Sequence, residues 1–369
     1  MADIAVLAAK LRKIAASEKV MSAELSALVV EVFEQCGVPR EDAKIGAEVA
    51  LWAQLHGSDS HGVVHLPLYT RGLLDRTIKS RPTLTTTQAM ACCVVLDADH
   101  GLGLVACRRA IDMAIDIAKR QGLGAVAVRN SSHFGVAGYY ADRAAEHGLI
   151  GLAFTNAMPA IAPTGGSEGL LGTNPIGAAF PVPCADPIIA DMATAMVARS
   201  RIRHALAAGQ KTIPEGWALD PDGQPTTDPA VAVKGSLLPI GGPKGYALSL
   251  MVEILCSALS DGEPGFQVTY ENMVKRPSNI CQFFLVLNPD GFVGSARYGA
   301  RMTHIAEVIG KAKPMEGAAP PRLPGARGHA VKRKAEAEGI ALFDNLRAAL
   351  KNVAGMIESH SIESSTGAA

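Results

Sequence analysis

The chain has 369 residues, 48% hydrophobic and 19% charged, which supplies enough apolar material for about two globular domains. Lys+Arg 35 balances Asp+Glu 35, so no global field draws the protein to nucleic acid or an anionic membrane, and the dense basic stretch at 331–334 reads as a solvated helix face. The seven cysteines form neither a CxxC pair nor an even disulfide framework, no apolar run approaches the ~18 residues that span a bilayer, and the N-terminus lacks a signal peptide's uninterrupted apolar core, so a cytoplasmic protein is expected.

From residue 22 to about 53, apolar residues recur at helical spacing, as in Leu25, Leu28, Val29, Val32 and Phe33. Gly37 and Pro39 stop the first helix, and Glu41 and Asp42 suit the first turn of the next. Short β runs then alternate with helices: 92–96, 124–128, 150–154 and 282–287. That alternation predicts an α/β domain. Helical spacing returns from residue 300, and the chain ends in small polar residues expected to fray from 361. The expected organisation is a helical subdomain from 1–90 plus 300–360, an α/β domain over 91–299 and a disordered tail over 361–369.

The stretch NSSHFGVAGYY at 130–140 follows the β-branched run 124–129 and precedes a helical pattern closed by Gly148. His133 is thereby predicted in a strand-to-helix turn among small residues that leave room for a ligand. An imidazole there is suited to carry a proton near neutral pH. A histidine that merely caps the following helix is the bland alternative.

A second cluster lies at 56–69, HGSDSHGVVHLPLY. His61, His65 and Tyr69 are four apart, so a helix starting near Ser60 would align them on one face. No HExxH motif or cysteine partner accompanies them, Pro67 disturbs a helix interior, and Ser60 with Asp59 makes a good N-cap; no metal is expected. A serine hydrolase is disfavoured too, since sequence-adjacent Ser-His pairs are not expected to point at each other and no GxSxG elbow exists.

Nowhere does GxGxxG follow a strand and open a helix, so the usual dinucleotide fingerprint is missing. Glycine-rich stretches do occur at 163–169, 172–177 and 241–245. Their backbone amides can approach an anion, and Lys244 offers a phosphate partner, although loops of α/β proteins carry glycine for turn geometry as well.

Taken together these motifs resemble the malate/L-lactate dehydrogenase family that is distinct from Rossmann-type enzymes of the same name. The resemblance covers about 20–350 and rests on DSHG at 59–62, NSSHFG at 130–135, GTNP at 172–175, DMAT at 191–194, PTTDP at 225–229 and GPKG at 242–245. It implies an oxidoreductase using NAD or NADP that transfers hydride between nicotinamide and a 2-hydroxy acid/2-oxo acid pair. Reduction of a cyclic imine acid, or nucleotide binding without turnover, are the alternatives it leaves open. It further implies a non-Rossmann NAD(P)-binding α/β domain with a mixed sheet, flanked by helices from both chain ends, and a homodimer.

By the same resemblance, His133 matches a histidine that exchanges the substrate proton, and His61 a second one that competes for that role. Ser60, Tyr69 and Asn156 match substrate-pocket positions. Thr173, Asn174, Asp191, Met192, Ala193, Lys244 and Gly245 match cofactor-contacting positions, as do Gly325, Ala326 and Arg327, where relatives often carry Pro-Gly-Glu. His65 stands where many relatives carry an arginine that holds the substrate carboxylate. Either His65 or Arg71 is expected to meet that carboxylate here, and Arg199, Arg201 and Arg203 are the cations near enough to Asp191 in sequence to meet an NADP phosphate.

Overall fold

The computed structural model describes residues 2–58, 60–270 and 275–366. Its centre is a seven-stranded sheet built from β1 (Thr85–Met90), β2 (Cys93–Asp97), β3 (Leu123–Ser131), β4 (Ile150–Thr155), β5 (Ile176–Phe180), β6 (Ile188–Met192) and β7 (Ile280–Leu287). In space the order is β1-β2-β3-β7-β4-β5-β6. β2 and β3 run parallel, while every other neighbouring pair among the described residues is antiparallel. The fold is thus α/β with a mixed sheet.

Alternation along the central strands gives the sheet two apolar faces. Val126 and Val128 of β3 and Phe284 and Val286 of β7 enter one cluster, while Ala127, Phe283 and Cys281 enter another on the opposite side. The first face is covered by α5 (Gly103–Gln121), whose buried Leu104, Cys107, Ala110, Ile111, Ala114, Ile115 and Ala118 repeat every three or four residues. Helix α6 (Ala137–Ala145) lies beside it. The second face is covered by α8 (Pro243–Glu253) and a π-helical turn at Ile254–Ala258.

Behind α5 stand α1 (Ala2–Ala16), α2 (Ser22–Gln35), α3 (Arg40–Leu55), α4 (Leu66–Leu74) and the last helix, α11 (Asp344–Thr366). Leu7, Leu11 and Ile14 from one chain end and Leu346, Leu350, Val353 and Ile357 from the other belong to the same apolar cluster as the sheet face. Lys19 and Val20 also pair with Ala341 and Ile340. Between these lie α7 (Arg199–Ala207), α9 (Ser295–Gly310) and α10 (Ala326–Glu338). Of the tail expected to be disordered from 361, residues 361–366 continue α11 and 367–369 lie outside the described residues, as does Asp59.

Two local features shape the site. β3 pairs with β7 through a register shift near residues 129–130, and Asn130 adopts φ 51°, its amide donating to Asp97 Oδ2 at 2.9 Å. This bulge bends the strand end and re-aims residues 131–133. Gly103, at the start of α5, sits so close that a Cβ there would lie 2.3 Å from the Ser132 carbonyl oxygen, so α5 buttresses the same turn from behind.

Candidate active site

His133 occupies the connection between β3 and α6, as the strand-then-helix pattern predicts. His61 and His65 bracket a 3-10 turn at Gly62–His65 that runs directly into α4. The 3-10 turn begins at Gly62, two residues past Ser60, and the α-helix proper begins at Leu66. Pro67 disturbs nothing: it falls in the first turn of α4, where no amide donor is needed. Gly62 has φ +86°, and a Cβ there would meet the Ala50 carbonyl oxygen at 2.5 Å, which holds the turn hard against α3.

The chain brings all three imidazoles together. The rings of His65 and His133 lie 4.8 Å apart at an interplanar angle of 3°, His61 and His65 are 5.3 Å apart at 13°, and His61 and His133 are 5.7 Å apart at 15°. Tyr69 closes one side of this stack with its hydroxyl 2.8 Å from His133 Nδ1, and Tyr270 stands edge-on to His133 at 6.1 Å. Ser60 Oγ lies 2.8 Å from His61 Nδ1, so this adjacent Ser-His pair does point at each other, against the expectation from sequence. Ser132 instead bonds the Gly101 carbonyl and the Gly103 amide, away from His133.

The bonds fix the tautomer of His133. Gly135 N–H can only donate, and it donates to Nδ1 at 3.3 Å, so Nδ1 of the neutral ring is an acceptor and the proton resides on Nε2. Burial holds His133 well below the ordinary imidazole range and pushes His65 down to about 3, each opposed further by its neighbouring imidazoles; burial lowers His61 as well. The expectation of a proton carrier near its unperturbed pKa therefore does not hold for the ligand-free protein. Among the described residues, no group of three or more His, Cys, Asp or Glu is arranged to hold a metal ion.

The glycine-rich segments converge on a second region. Thr194 bonds the Thr173 carbonyl through both its amide and its hydroxyl, and the Ile240 amide donates to the Thr194 carbonyl. These bonds lace together the segments holding Thr173–Asn174, Asp191–Ala193 and Lys244–Gly245. Lys244 is exposed in the first turn of α8 and makes no ion pair among the described residues. Nearby along β6, a cavity of about 240 Å³ is lined by Trp52, His56, Asp191, Gly325, Arg327 and Gly328. Asp191 faces this open cleft, yet the protein packed around it raises its carboxyl to about 6. Met192 is exposed beside it, and Ala326 follows Gly325 into α10. Exposed cation, cleft carboxylate and glycine-lined cavity suit the phosphates and ribose of a dinucleotide.

Four expected residues lie elsewhere. Asn156 is buried, its amide donating to Glu253 Oε1 and the Glu263 carbonyl and its Oδ1 accepting from the Cys281 amide, so both of its donors are spent within the fold. Arg71 is exposed two residues past Tyr69, off the face that carries His65 and Tyr69. Arg199 is spent on the carbonyls of Val233 and Gly235, while Arg201 lies over the Trp217 ring at 6.0 Å.

The sequence reading also missed residues. Tyr270 shares no local pattern with His133. Glu253 is buried and accepts from Asn156, from Asn174 Nδ2 at 3.0 Å and from the Gly265 amide at 2.7 Å. A lone carboxylate inside the apolar run 248–256 was the available signal, since such a group is buried only when hydrogen-bonded.

Comparison with known proteins agrees with this architecture. Residues 20–351 match the malate/L-lactate dehydrogenase family. The L-sulfolactate dehydrogenase of Methanocaldococcus jannaschii is 42% identical over 293 residues, 79% of this chain and 83% of that protein. A malate dehydrogenase of Pyrococcus abyssi is 42% identical over 294 residues, 78% of this chain and 80% of its own. The solved structure of sulfolactate dehydrogenase from Methanocaldococcus jannaschii superposes with a TM-score of 0.86 at 38% identity, covering 92% of this chain and 97% of that one. The chain therefore belongs to the malate/L-lactate dehydrogenase family, and is an oxidoreductase that passes hydride between a nicotinamide cofactor and a hydroxy acid/oxo acid pair.

Proposed function

We propose that this chain interconverts a small 2-oxo acid and its 2-hydroxy acid with His133 as the proton carrier. The observation that carries this reading is the pair of bonds into His133 Nδ1 from Tyr69 and Gly135, which leaves Nε2 as the nitrogen that meets substrate. In reduction the protonated ring gives its Nε2–H to the forming alkoxide and is left neutral with Nδ1–H donating to the Tyr69 oxygen; in oxidation the Nε2 lone pair of that form takes the proton back, so turnover passes through the Nδ1–H form and not the Nε2–H form that the Gly135 bond favours without ligand. Tyr69 serves both states, because a phenol donates to a neutral Nδ1 and accepts from a protonated one. Ser60 orients His61, and Tyr270 shields the His133 ring.

NAD or NADP supplies the hydride when bound. Lys244 would pair with its phosphates, Asp191 with a ribose hydroxyl, and Gly325, Ala326 and Arg327 would line the cleft beside it, while Thr173 and Asn174 shape the wall behind. This placement is supported by the convergence of the 172–177 and 241–245 glycine-rich segments on the 191–194 segment through Thr194.

A homodimer and a cytoplasmic location complete the proposal. α8 buries Gly245, Ser249, Val252 and Glu253, while Leu248, Leu250 and Met251 of α8 and Ile254 just past it stand outward, an exposed apolar face that favours a second copy against it. All seven cysteines are free, which suits a reducing compartment. The test of the catalytic reading is a paired assay of NADH and NADPH consumption against a panel of 2-oxo acids. Turnover of at least one acid is expected, and cofactor binding without consumption of any acid would refute it.

A further inference from the structure

We infer that His61 and His65 hold the substrate carboxylate by taking up one proton on binding, in place of a permanent cation, so that oxo-acid binding by this chain is proton-linked. The inference rests on the reading of His133 as proton carrier and specifies how the same site grips its substrate.

The anionic end of a 2-oxo acid needs a positive partner for orientation. The groups facing the three rings are Ser60 from the preceding loop, Tyr69 from α4, the Gly135 amide from the β3–α6 turn and Tyr270 from the segment after α8. Among the described residues no lysine, arginine, aspartate or glutamate adds to the field at these imidazoles. Positive charge must then come from the stack itself. His65 Nδ1 is buried and has no partner, and His61 Nδ1 has only a hydroxyl that can accept as readily as donate. His133 Nδ1 is already engaged by Tyr69 and Gly135, and its Nε2 is given to the transferred proton.

Without ligand the stack stays neutral, because burial opposes charge. A carboxylate within about 4 to 6 Å reverses that balance for one ring. A second proton is opposed by the first, with ring centres only 4.8 to 5.7 Å apart. The proton comes from solvent and returns on release. It is distinct from the one that His133 transfers. A neutral-to-charged histidine therefore ties affinity to pH where an arginine would not, because a guanidinium is always charged.

The experiment is calorimetric titration of oxamate, an unreactive 2-oxo-acid analogue, into the full chain saturated with whichever of NADH and NADPH it binds. Buffers of different ionisation enthalpy report proton uptake. Between pH 5 and 6 we expect measurable proton uptake per oxamate that fades toward pH 8, and a Kd that tightens several-fold as the pH falls from 8 to 5. His65→Arg should abolish the uptake and flatten the pH dependence while binding oxamate, whereas His133→Gln should keep the uptake. Should His65→Arg fail to fold, His65→Gln is expected to bind weakly and without uptake. Parent binding with no uptake and a pH-independent Kd overturns the inference but leaves the catalytic reading standing. Uptake lost in His133→Gln and kept in His65→Arg also overturns it, by placing the proton on His133. Neither oxamate binding nor turnover of any 2-oxo acid overturns both.

Discussion

The hydroxyl of Tyr69 and Nδ1 of His133 meet at 2.8 Å although 64 residues separate them in the chain. Tyr69 is fully buried in the first turns of α4 and His133 lies past the bulge that ends β3, so the bond couples the helical layer to the sheet at the reacting histidine. Tyr69→Phe keeps the ring and removes the hydroxyl. A net hydrogen bond is worth ~0.5–1.5 kcal/mol, so we expect kcat to fall by about threefold to tenfold with the cofactor Kd unchanged. Steady-state kinetics beside a cofactor titration checks this, and an unchanged kcat would remove Tyr69 from the proton path.

Glu253 ties together the ends of β4, the 172–175 loop and the segment at 263–265 through Asn156, Asn174 and Gly265. A glutamine there offers one acceptor and sets its own NH2 against donors. We expect Glu253→Gln to lower unfolding free energy by ~1–3 kcal/mol and to weaken cofactor binding, since Asn174 would lose its anchor. Urea denaturation and NAD(P)H titration read the two effects; wild-type values in both would show that the carboxylate is dispensable.

Lys244 has a phosphate as its natural partner, because its charge is exposed in the first turn of α8 with no carboxylate on it among the described residues. Lys244→Ala should weaken NAD(P)H binding about tenfold or more, a loss of ~1.5 kcal/mol or greater. An unchanged dissociation constant would return the 241–245 segment to a purely structural turn.

Acid should destabilise the fold ahead of any carboxylate effect. His56 is pushed down to about 4 and His65 to about 3 by burial, and His61 and His133 are lowered as well. Each folded value lies below the unfolded imidazole value of about 6.5, so the unfolded chain binds more protons as pH falls through that window. Their contribution is complete above pH ~6.5 and is lost progressively toward pH 4. Asp191, raised to about 6, and Asp142, raised by burial, work in the opposite direction over part of that range, against the larger set of lowered histidines. The melting temperature should therefore drop between pH 7 and pH 4.5, and drop less in His56→Gln. A flat profile for the parent would mean that the imidazoles are not buried in solution.

The parts legible in the sequence were those with a local period. His65 and Tyr69 meet at the spacing of one helical turn, with His61 joining them from the extended residue just before that turn, and His133 was placed by a β-branched run ending in small polar residues. The central strands β3, β4 and β7 announced themselves by apolar runs. By contrast β1, TTTQAM, is fully exposed at the sheet edge and carries no apolar pattern, while β5 and β6 are short and interrupted by small residues. Tyr270, Glu253 and the buried role of Asn156 depend on contacts between segments far apart in sequence, which no periodicity reports. The Ser60–His61 bond escaped because the backbone turn into Gly62 at positive φ, not residue spacing, brings those side chains together.

The most direct test of the account compares His133→Gln with His61→Gln, measuring kcat on a turned-over 2-oxo acid and the NAD(P)H Kd in each. With Nδ1 engaged by Tyr69 and Gly135, Nε2 of His133 is left as the proton carrier, so His133→Gln should lose at least tenfold in kcat with the cofactor Kd nearly intact. His61→Gln should act mainly through KM. Wild-type kcat in His133→Gln together with its loss in His61→Gln would assign the proton to His61 and contradict the account.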